Sequence, residues 1–362
     1  MKAGIVGAGI MGRLLAFALL KAGHHVDLYD QNDRLQNLNC SQAAAGLLTP
    51  LAELEKSDIL IYQLGRDALK EHWPAVLQQL NHPVYFQSKG SLILAHPRDR
   101  VDLVRFVDVI KTKLQDDKNE ISHSCQKLNQ DEIALFEPEI AKFDGAYYFP
   151  EEGHLDNQAL LLSLGMHLNE KGVRWHDNIN VTDVAPNRLI INGERMEYDM
   201  VFDCRGMGAK SVFTHLHGIR GELIWLHAPD VSIQRPIRFL HPRYAIYIVP
   251  RPENKYIIGA SEIHSDDHSE ISVKSILELL SAAYYLHPGF GEARILKTVT
   301  HCRPTLPHYL PAIRYIDGLI AINGLYRHGF LIAPALVADV MLFLEHGLSS
   351  LRYPVIWEKN CD

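Results

Sequence analysis

The sequence predicts an α/β fold in which a discontinuous Rossmann-like domain is joined to a second domain built on a mostly antiparallel sheet. Residues 2–30 hold a short apolar run, a glycine-rich turn, an apolar pattern with helical spacing and a second short run that ends on an acid. Residues 219–262 alternate or run apolar between turn signals, which is typical of antiparallel strands. The 362 residues suffice for two domains, each with a sizeable core.

The same patterns predict the other elements in chain order. Apolar runs between turn residues predict strands at 3–6, 25–29, 85–86, 91–95, 144–150, 173–175, 189–191, 200–203, 223–226, 245–249, 256–260 and 319–323. Helical spacing predicts one helix between the glycine turn and Gly23, and others at 65–80, 99–115, 156–170, 272–285 and 331–345. His346 and Gly347 should end the last helix.

The domains should be interleaved along the chain, because no repeat or low-complexity linker separates them. We assign residues 1–85, 146–215 and 301–362 to the Rossmann-like domain. Residues 86–145 and 216–300 are assigned to the second domain.

Composition excludes several classes of protein. Hydrophobic residues make up 47% and charged residues 22%, an ordinary globular balance that rules out whole-chain disorder or a fibrous fold. The net charge of −7 argues against nucleic acid as a partner. No apolar run approaches the ~20 residues of a membrane span, so we expect no membrane association. Scattered cysteines, odd in number, indicate reduced thiols in the cytoplasm: Cys40, Cys125, Cys204, Cys302 and Cys361.

The glycine turn and the acid after it predict a dinucleotide site. Gly7 permits a tight turn, Gly9 lets a pyrophosphate approach the backbone, and Gly12 lets the helix pack closely on the strand. The helix N-terminus then faces the phosphates. Asp30, at the end of the second strand, is placed to accept hydrogen bonds from ribose hydroxyls, which argues against NADP. This motif leaves FAD and NAD both open.

Further along, the chain resembles the FAD-dependent glycine oxidase and D-amino-acid oxidase family, and within it the glycine oxidases of bacterial thiamine synthesis. Besides the turn and Asp30, the resemblance rests on segments that occur in family order: CSQAAAGLL (40–48), GSL (90–92), LFEPE (135–139), GHLD (153–156), DCRG (203–206), RGE (220–222), YIVPR (247–251), GAS (259–261), RPT (303–305) and GLYRHG (324–329). Each segment is weak alone, but the ordered set covers nearly the whole chain and is specific.

The resemblance implies a non-covalently bound FAD in the first domain and the substrate in the second. It implies that the helix after the 324–329 loop turns its N-terminus toward the flavin, where negative charge gathers on reduction. The residues that it assigns to FAD are Gly7, Gly9, Ile10, Met11, Gly12, Asp30, Ser41, Gln42, Ala44, Ala45, Gly46, Leu48, Gly206, Gly324, Arg327, His328, Gly329, Phe330 and Leu331.

The activity implied is oxidative deamination of glycine or another small amino acid or amine. The α-hydrogen leaves as hydride to the flavin, the imine hydrolyses, and O2 reoxidises the flavin to give H2O2. Arg303 matches the guanidinium that holds the substrate carboxylate, Tyr247 a substrate-site tyrosine, and Arg327 an arginine near substrate and flavin. Tyr247 also fits an ordinary strand aromatic. Asp203 or Glu222 is available to balance an internal arginine. The family further implies imine supply for thiamine synthesis and a homo-oligomer.

Several positions depart from the family pattern and leave the substrate open. They are Ala245, Glu262, His328 and the bulky Arg205. The Glu262 carboxylate is suited to a substrate ammonium group, but it also fits a solvent-exposed side chain. Cys302 is best interpreted as a buried structural thiol and not as a covalent flavin link. His264, His268 and the acids between them form no complete metal-ligand set, so no metal is expected.

Three alternatives stay open from the sequence. A D-amino-acid dehydrogenase would pass electrons to an acceptor other than oxygen. A non-catalytic flavoprotein is disfavoured because Tyr247, Arg303 and Arg327 are all present. An NAD-dependent dehydrogenase should lack the loop 324–329 before a C-terminal helix.

Overall fold

The structure is a computed structural model that describes residues 1–34, 39–114, 123–240 and 246–359, with only the backbone of Lys359. Two residues named above lie outside the described residues: Cys361, and Ala245, with which the strand predicted at 245–249 begins. The strands in chain order are β1 (Lys2–Val6), β2 (His25–Tyr29), β3 (Leu47–Leu48), β4 (Phe86–Gln87), β5 (Ser91–Ala95), β6 (Gln126–Asn129), β7 (Gly145–Phe149), β8 (Gly153–Leu155), β9 (Arg174–His176), β10 (Val181–Ala185), β11 (Arg188–Ile191), β12 (Glu194–Glu197), β13 (Met200–Asp203), β14 (His217–His227), β15 (Ile237–Leu240), β16 (Ile246–Arg251), β17 (Lys255–Gly259), β18 (Ile263–His264), β19 (Arg294–Thr305), β20 (Ala312–Ile316), β21 (Leu319–Asn323) and β22 (Trp357–Lys359).

The α-helices of the described chain cover every predicted helix and add three that the sequence did not predict, Cys40–Ala43, Pro50–Glu53 and Gln130–Phe136. In chain order the α-helices are Ile10–Lys21, Cys40–Ala43, Pro50–Glu53, Ile59–Asp67, Trp73–Leu77, Arg100–Lys113, Gln130–Phe136, Asn157–Glu170, Val273–Leu286 and Gly329–His346. A π-helical turn, Ala68–His72, joins two of them into one continuous segment. Asp156 and Ser272 cap their helices by accepting hydrogen bonds from backbone N–H groups of the first turn.

The Rossmann-like half is a seven-stranded sheet in the order β22-β20-β21-β13-β1-β2-β9. Strand β1, in the interior of the sheet, pairs in parallel with β2 on one side and with β13 on the other, and β13 pairs in parallel with β21. Four of the five residues of β1 are buried, as expected for a strand covered on both faces. Because these strands are parallel, the carboxyl ends of β1, β13 and β21 lie side by side at the same end of the sheet.

The second half is a nine-stranded, mostly antiparallel sheet in the order β18-β14-β17-β16-β15-β5-β7-β6, with β19 also paired to β14. The long strand β19 was missed by the sequence prediction. Its first four residues are exposed, so the apolar pattern that marks a strand is absent there. Two small sheets, β10-β11-β12 and β3-β8-β4, complete the fold. The proposed domain limits stay a prediction; β7 and β19 belong to the nine-stranded sheet, although part of each falls within ranges assigned to the first domain.

The last helix, Gly329–His346, is the helix in the described chain that is long and apolar enough, by length and composition, to cross a membrane. More than half of it is buried inside the protein, with Leu336 and Val340 in the core beside the first helix. The same composition is typical of the core helix of an α/β sheet. It ends at Gly347, whose φ of 76° suits glycine.

Candidate active site

A cavity of about 880 Å³ lies where the two large sheets meet. One wall is formed by the residues that follow β1 and β13, together with the end of β21. The opposite wall comes from the nine-stranded sheet, through residues of β14, β15, β16 and β19. Ligands of open α/β sheets bind outside the carboxyl ends of their strands, and this cavity occupies that position.

Most residues predicted to bind the cofactor line this cavity. On its wall are Gly7, Gly9, Ile10, Met11, Asp30, Ser41, Ala44, Ala45, Gly46, Gly206, Arg327, His328, Gly329, Phe330 and Leu331. Four others do not reach it. Leu48 is fully buried in the core, Gly324 (φ 76°) turns the chain after β21, and the Gln42 carbonyl accepts a hydrogen bond from Asn157. The fourth is Gly12.

The three glycines of the first turn have separate steric reasons to be glycine. Gly7 has a φ of 99°, and a Cβ there would lie 2.5 Å from the Cys204 carbonyl oxygen. A Cβ at Gly12 would overlap the Gly7 carbonyl oxygen, so Gly12 serves helix packing and not the cavity. A Cβ at Gly9 would meet only Ser41 Oγ, at 3.2 Å, and otherwise enters open cavity. Gly9 therefore keeps space clear for a ligand that touches the backbone.

The acid of the motif lies beside this turn. Asp30 is buried, and its Oδ2 accepts the Ala8 N–H at 2.6 Å while Oδ1 accepts the Asn32 N–H at 2.8 Å. A carboxylate oxygen has two lone pairs, so each oxygen keeps one for a ligand hydroxyl. The first helix begins at Ile10, whose N–H donates to Ser41 Oγ at 2.9 Å, and its positive N-terminal end faces the cavity, where it favours an anion. The turn, the acid and the helix N-terminus fit a dinucleotide.

Two predicted catalytic residues come from the nine-stranded sheet. Arg303 on β19 lies across Gly221, and its Nη1 is 3.3 Å from the Ser261 carbonyl oxygen. Within the described residues this guanidinium forms no ion pair within 4 Å. Tyr247 on β16 lies across Gly259, where a Cβ would be 2.7 Å from its ring. Burial raises the pKa of Tyr247, so its hydroxyl stays protonated at neutral pH.

The third predicted catalytic residue, Arg327, belongs to a charged cluster that the sequence did not reveal. At its centre is the buried Glu53, which accepts a hydrogen bond from Arg327 Nε at 2.6 Å, forms an ion pair with Arg238, and lies 3.0 Å from His328 Nε2. Burial alone would raise the pKa of Glu53, but the two guanidinium groups and the imidazole outweigh it and hold the pKa well below its usual range. Glu53 is therefore an anion that neutralises cationic side chains around it.

Glu53 and Arg238 were missed because they lie in ordinary sequence contexts. Glu53 ends a four-residue helix, and Arg238 occupies a position in the short strand β15 that looks like any exposed strand residue. Only the pairing of β15 with β5 and β16 brings Arg238 to the cavity wall. A signal was available in the segment CSQAAAGLLTPLAE, where a single acid follows the proposed flavin-lining run.

Glu262 has a partner that neither sequence interpretation named. Its side chain is 40% exposed and lies on the cavity wall, and Oε2 is 3.1 Å from Arg327 Nη1. Burial opposes ionisation, but Arg327 and the Tyr326 hydroxyl lower the pKa of Glu262 below its ordinary value. On the cavity wall, Arg238 and Arg327 are thus already paired with acids, whereas Arg303 has no acid within 4 Å in the described chain.

The remaining predictions concern ion pairs inside the protein, the Cys302 thiol and metal binding. Asp203 forms an ion pair with Arg205, and Glu222 with Arg220, so both predicted acids do balance arginines. Cys302 is fully buried, with Sγ 3.4 Å from the Ser265 and Asp267 carbonyl oxygens. In the described parts of the chain, no group of three or more His, Cys, Asp or Glu side chains is placed to hold a metal ion.

A phosphate-type turn, a ribose-type acid and a guanidinium facing the same cavity define a dinucleotide-dependent oxidoreductase of the α/β class. Comparison with known proteins narrows this. The chain belongs to the DAO family of FAD-dependent oxidoreductases, whose model matches residues 2–341. Its cofactor is FAD. The predicted family, fold class and cofactor are therefore confirmed.

Individual relatives point the same way. The chain is 35% identical, over 96% of its length and 98% of the relative's, to a Rhizobium etli protein named provisionally as the thiamine biosynthesis oxidoreductase ThiO. It is 25% identical to the glycine oxidase of Geobacillus kaustophilus, over 93% and 92% of the two chains. The crystal structure of glycine oxidase from Geobacillus kaustophilus superposes with a TM-score of 0.84 at 22% identity, covering 98% of this chain and 97% of that one.

Proposed function

We propose that this FAD-dependent enzyme oxidises glycine or another small amino acid or amine, with O2 as the electron acceptor and H2O2 as product. The relatives named as a glycine oxidase and as a thiamine biosynthesis oxidoreductase support this proposal. The observation that carries it is the partly buried Arg303 guanidinium on the cavity wall, which has no acid within 4 Å in the described chain; Arg105, also on the wall, is exposed on the helix Arg100–Lys113.

The charges around the cavity favour a substrate with a single carboxylate. Glu53 and Glu262 already neutralise two guanidinium groups, whereas Arg303 has an uncompensated charge. A carboxylate that pairs with Arg303 supplies that missing charge through two parallel hydrogen bonds. The nearby Tyr247 hydroxyl, protonated at neutral pH, can donate a further hydrogen bond to the same group. Together these groups orient the substrate α-carbon.

The cofactor end of the cavity would hold the FAD. When bound, FAD supplies the acceptor for the two electrons and the hydrogen that leave the α-carbon. Gly7, Gly9 and the N-terminus of the first helix would face its pyrophosphate, and Asp30 its ribose. Gly329 and Phe330 begin the last helix at the cavity wall, so the positive end of that helix would face the flavin.

Arg327 is better suited to shaping the wall than to binding substrate directly. Two of its nitrogens are engaged by Glu53 and Glu262, which fixes its position between them. The neighbouring His328 is held neutral, because burial lowers its pKa against the opposing effect of Glu53. We propose that this cluster sets the size of the substrate end.

The net reaction converts the substrate amine, O2 and water into an oxo acid, ammonia and H2O2, with an imine as the first product. For glycine the imine is a two-carbon compound, and its supply to thiamine synthesis is part of the proposal. We further propose a cytoplasmic homo-oligomer, on the evidence of the scattered thiols and the family resemblance.

The deciding experiment is an absorption spectrum of the purified protein, followed by anaerobic addition of glycine, sarcosine and a panel of D-amino acids. Loss of the oxidised flavin band with one of these, and its return with peroxide when air is admitted, is the expected result. Bleaching without peroxide formation in air would favour a dehydrogenase with another acceptor. A flavin that stays oxidised with every amine would overturn the proposal.

A further inference from the structure

The buried cation Arg13 lies directly behind the glycine turn, one residue after Gly12, and is not one of the three glycines that define the motif. Arg13 is only 1% exposed, and within the described residues it forms no ion pair within 4 Å. Its Nη2 has no hydrogen-bond partner. Burial lowers the pKa of Arg13 to about 10, which still leaves the side chain charged at neutral pH. The protein thus keeps a positive charge in the core beside its phosphate turn, with no acid in direct contact among the described residues, although Asp30 and Asp177 are near enough to favour the charged form.

The space around this guanidinium is built to hold it. Arg13 Nη1 donates to the Leu161 carbonyl oxygen, and the guanidinium carbon lies 4.7 Å from the centre of the Trp175 ring, within cation–π range. The helix Asn157–Glu170 carries Gly165 opposite, where a Cβ would lie 3.2 Å from Nη1. Glycine inside a helix is unfavourable. Its presence there makes room for the guanidinium.

The contact that links this cation to the cavity is made through the turn itself. Arg13 Nε donates to the Ala8 carbonyl oxygen at 2.8 Å. In a planar trans peptide the carbonyl and the following N–H point in opposite directions. Holding the Ala8 carbonyl toward the core therefore turns the Gly9 N–H the other way. Gly9 lines the cavity, and within the described chain no protein acceptor takes its N–H.

We propose that Arg13 is a positioning residue for FAD: it orients the Ala8–Gly9 peptide so that the Gly9 N–H meets the pyrophosphate, and its buried charge favours that anion. This rests on the proposed location of the pyrophosphate at Gly7–Gly9. The substrate plays no part in it. Charges in a dry interior act over longer distances than charges in water, so an arginine one residue layer behind the turn still contributes.

The test compares cofactor affinity with the stability of the apoprotein. In Arg13→Met apoprotein we expect the Kd for FAD to rise at least about tenfold, since the fixed orientation of the Gly9 N–H and the attraction of the buried charge are both lost. ADP, which has the same adenosine and pyrophosphate but no flavin, should lose affinity by a similar factor. The unfolding midpoint of the apoprotein should fall much less than that of the FAD-loaded protein.

A matched control lies against the same aromatic ring. The Arg34 guanidinium lies 5.4 Å from the Trp175 ring centre, but it pairs with Asp177 and not with the turn. Arg34→Met should leave the Kd values for FAD and ADP within about twofold of the wild-type values.

Two results would overturn the proposal: wild-type FAD affinity in the Arg13→Met apoprotein, or weakened FAD binding with unchanged ADP binding. If that variant does not fold, Arg13→Lys decides. Lysine keeps the charge but lacks the Nε–H that donates to the Ala8 carbonyl oxygen. An FAD affinity weaker than that of wild type but still measurable would support the proposal. An affinity equal to that of wild type would refute it. Because no substrate is added, a failure of the proposed amine oxidation would leave this test unaffected.

Discussion

The two ends of the cavity are built in different ways. The part of the cofactor end that would face the pyrophosphate and ribose is made largely of backbone, supplied by one continuous stretch from β1 to Asp30. The substrate end is made of charged side chains from widely separated segments: Glu53, Arg238, Tyr247, Glu262, Arg303 and Arg327. Backbone amides carry their dipoles wherever the local turn places them, whereas buried charges must be neutralised by partners that only the complete fold brings together.

Removing Arg303 should have the largest effect, because it should impair substrate binding at one end of the cavity and leave FAD binding at the other end intact. Arg303→Ala removes the proposed carboxylate partner, and the loss of such a pair costs about 3 kcal/mol, or ~100-fold in kcat/KM. We expect the loss mainly as a higher KM for the amine, with FAD still bound at stoichiometric content. Steady-state kinetics and the flavin spectrum measure the two effects.

Arg294→Ala, on the exposed start of the same strand, is the matched control and should keep wild-type kinetics. An Arg303→Ala enzyme with unchanged kinetics and full flavin content would remove Arg303 from the substrate end.

Neutralising Glu53 should damage the substrate end through its charge balance. Glu53→Gln keeps the shape but leaves Arg238 and Arg327 without their shared anion, which should lower the stability by about 3 kcal/mol. Because the folded pKa of Glu53 is depressed, its stabilisation is present at pH values above its unfolded pKa. It is lost only as the pH falls through the folded pKa, so the gap to wild type should persist from pH 8 to about pH 5 and narrow in stronger acid.

Thermal unfolding of the holoenzyme across this pH range measures that gap. Glu253→Gln, which breaks an exposed pair with Lys255, should leave the unfolding midpoint unchanged within experimental error. Equal effects of the two variants would mean that the Glu53 cluster has no structural role.

Alanine substitutions at the cofactor end should distinguish ligand space from packing. Gly9→Ala places a methyl group in open cavity, so FAD affinity should fall by about 2 kcal/mol, or ~30-fold, with little change in the unfolding of the apoprotein. Gly12→Ala overlaps the Gly7 carbonyl oxygen and should instead destabilise the apoprotein itself. FAD titration measures the cofactor affinity of each variant, and unfolding of the apoprotein measures its stability. Identical behaviour of the two variants would contradict the separate roles.

A second buried glutamate, outside the substrate end, should show an effect of the opposite sign to Glu53. Glu152 accepts hydrogen bonds from the Ala52 N–H and the Ser91 hydroxyl, but it has no cation within 4 Å in the described chain. Burial, partly offset by these hydrogen bonds, raises its pKa to about 7. A raised folded pKa means that its stabilisation is present below the unfolded pKa and is lost as the pH rises to about 7.

Glu152→Gln should therefore nearly match wild type near pH 4.5 and exceed its stability by roughly 3 kcal/mol at pH 8. Unfolding at the two pH values tests this directly. A Glu152→Gln protein less stable than wild type at pH 8 would show that the ionised carboxylate is stabilising after all.

The longer helices, many strands of the two large sheets and the glycine turn of the cofactor end were predictable, whereas several strands, among them β3, β10 and β22, were not predicted. β2 and β13 have the bounds that the sequence predicted, and the first and last helices differ from their predicted limits by only a few residues. These segments have apolar periodicity and turn residues that act locally. The strand β19 escaped detection because its exposed half lacks that periodicity, although it carries Arg303.

Short-range chemistry in the chain was enough to establish the α/β class, the glycine turn, the acid beside it and, through the ordered family segments, FAD as cofactor. Each depends on residues a few positions apart, whose conformations are limited by local sterics and hydrogen bonding. The tertiary structure alone decided that Glu53 balances Arg238 and Arg327, that Arg303 is left unpaired, and that Arg13 lies behind the phosphate turn. Those outcomes depend on which charges meet in a dry interior, and a linear sequence does not specify distances between segments 200 residues apart.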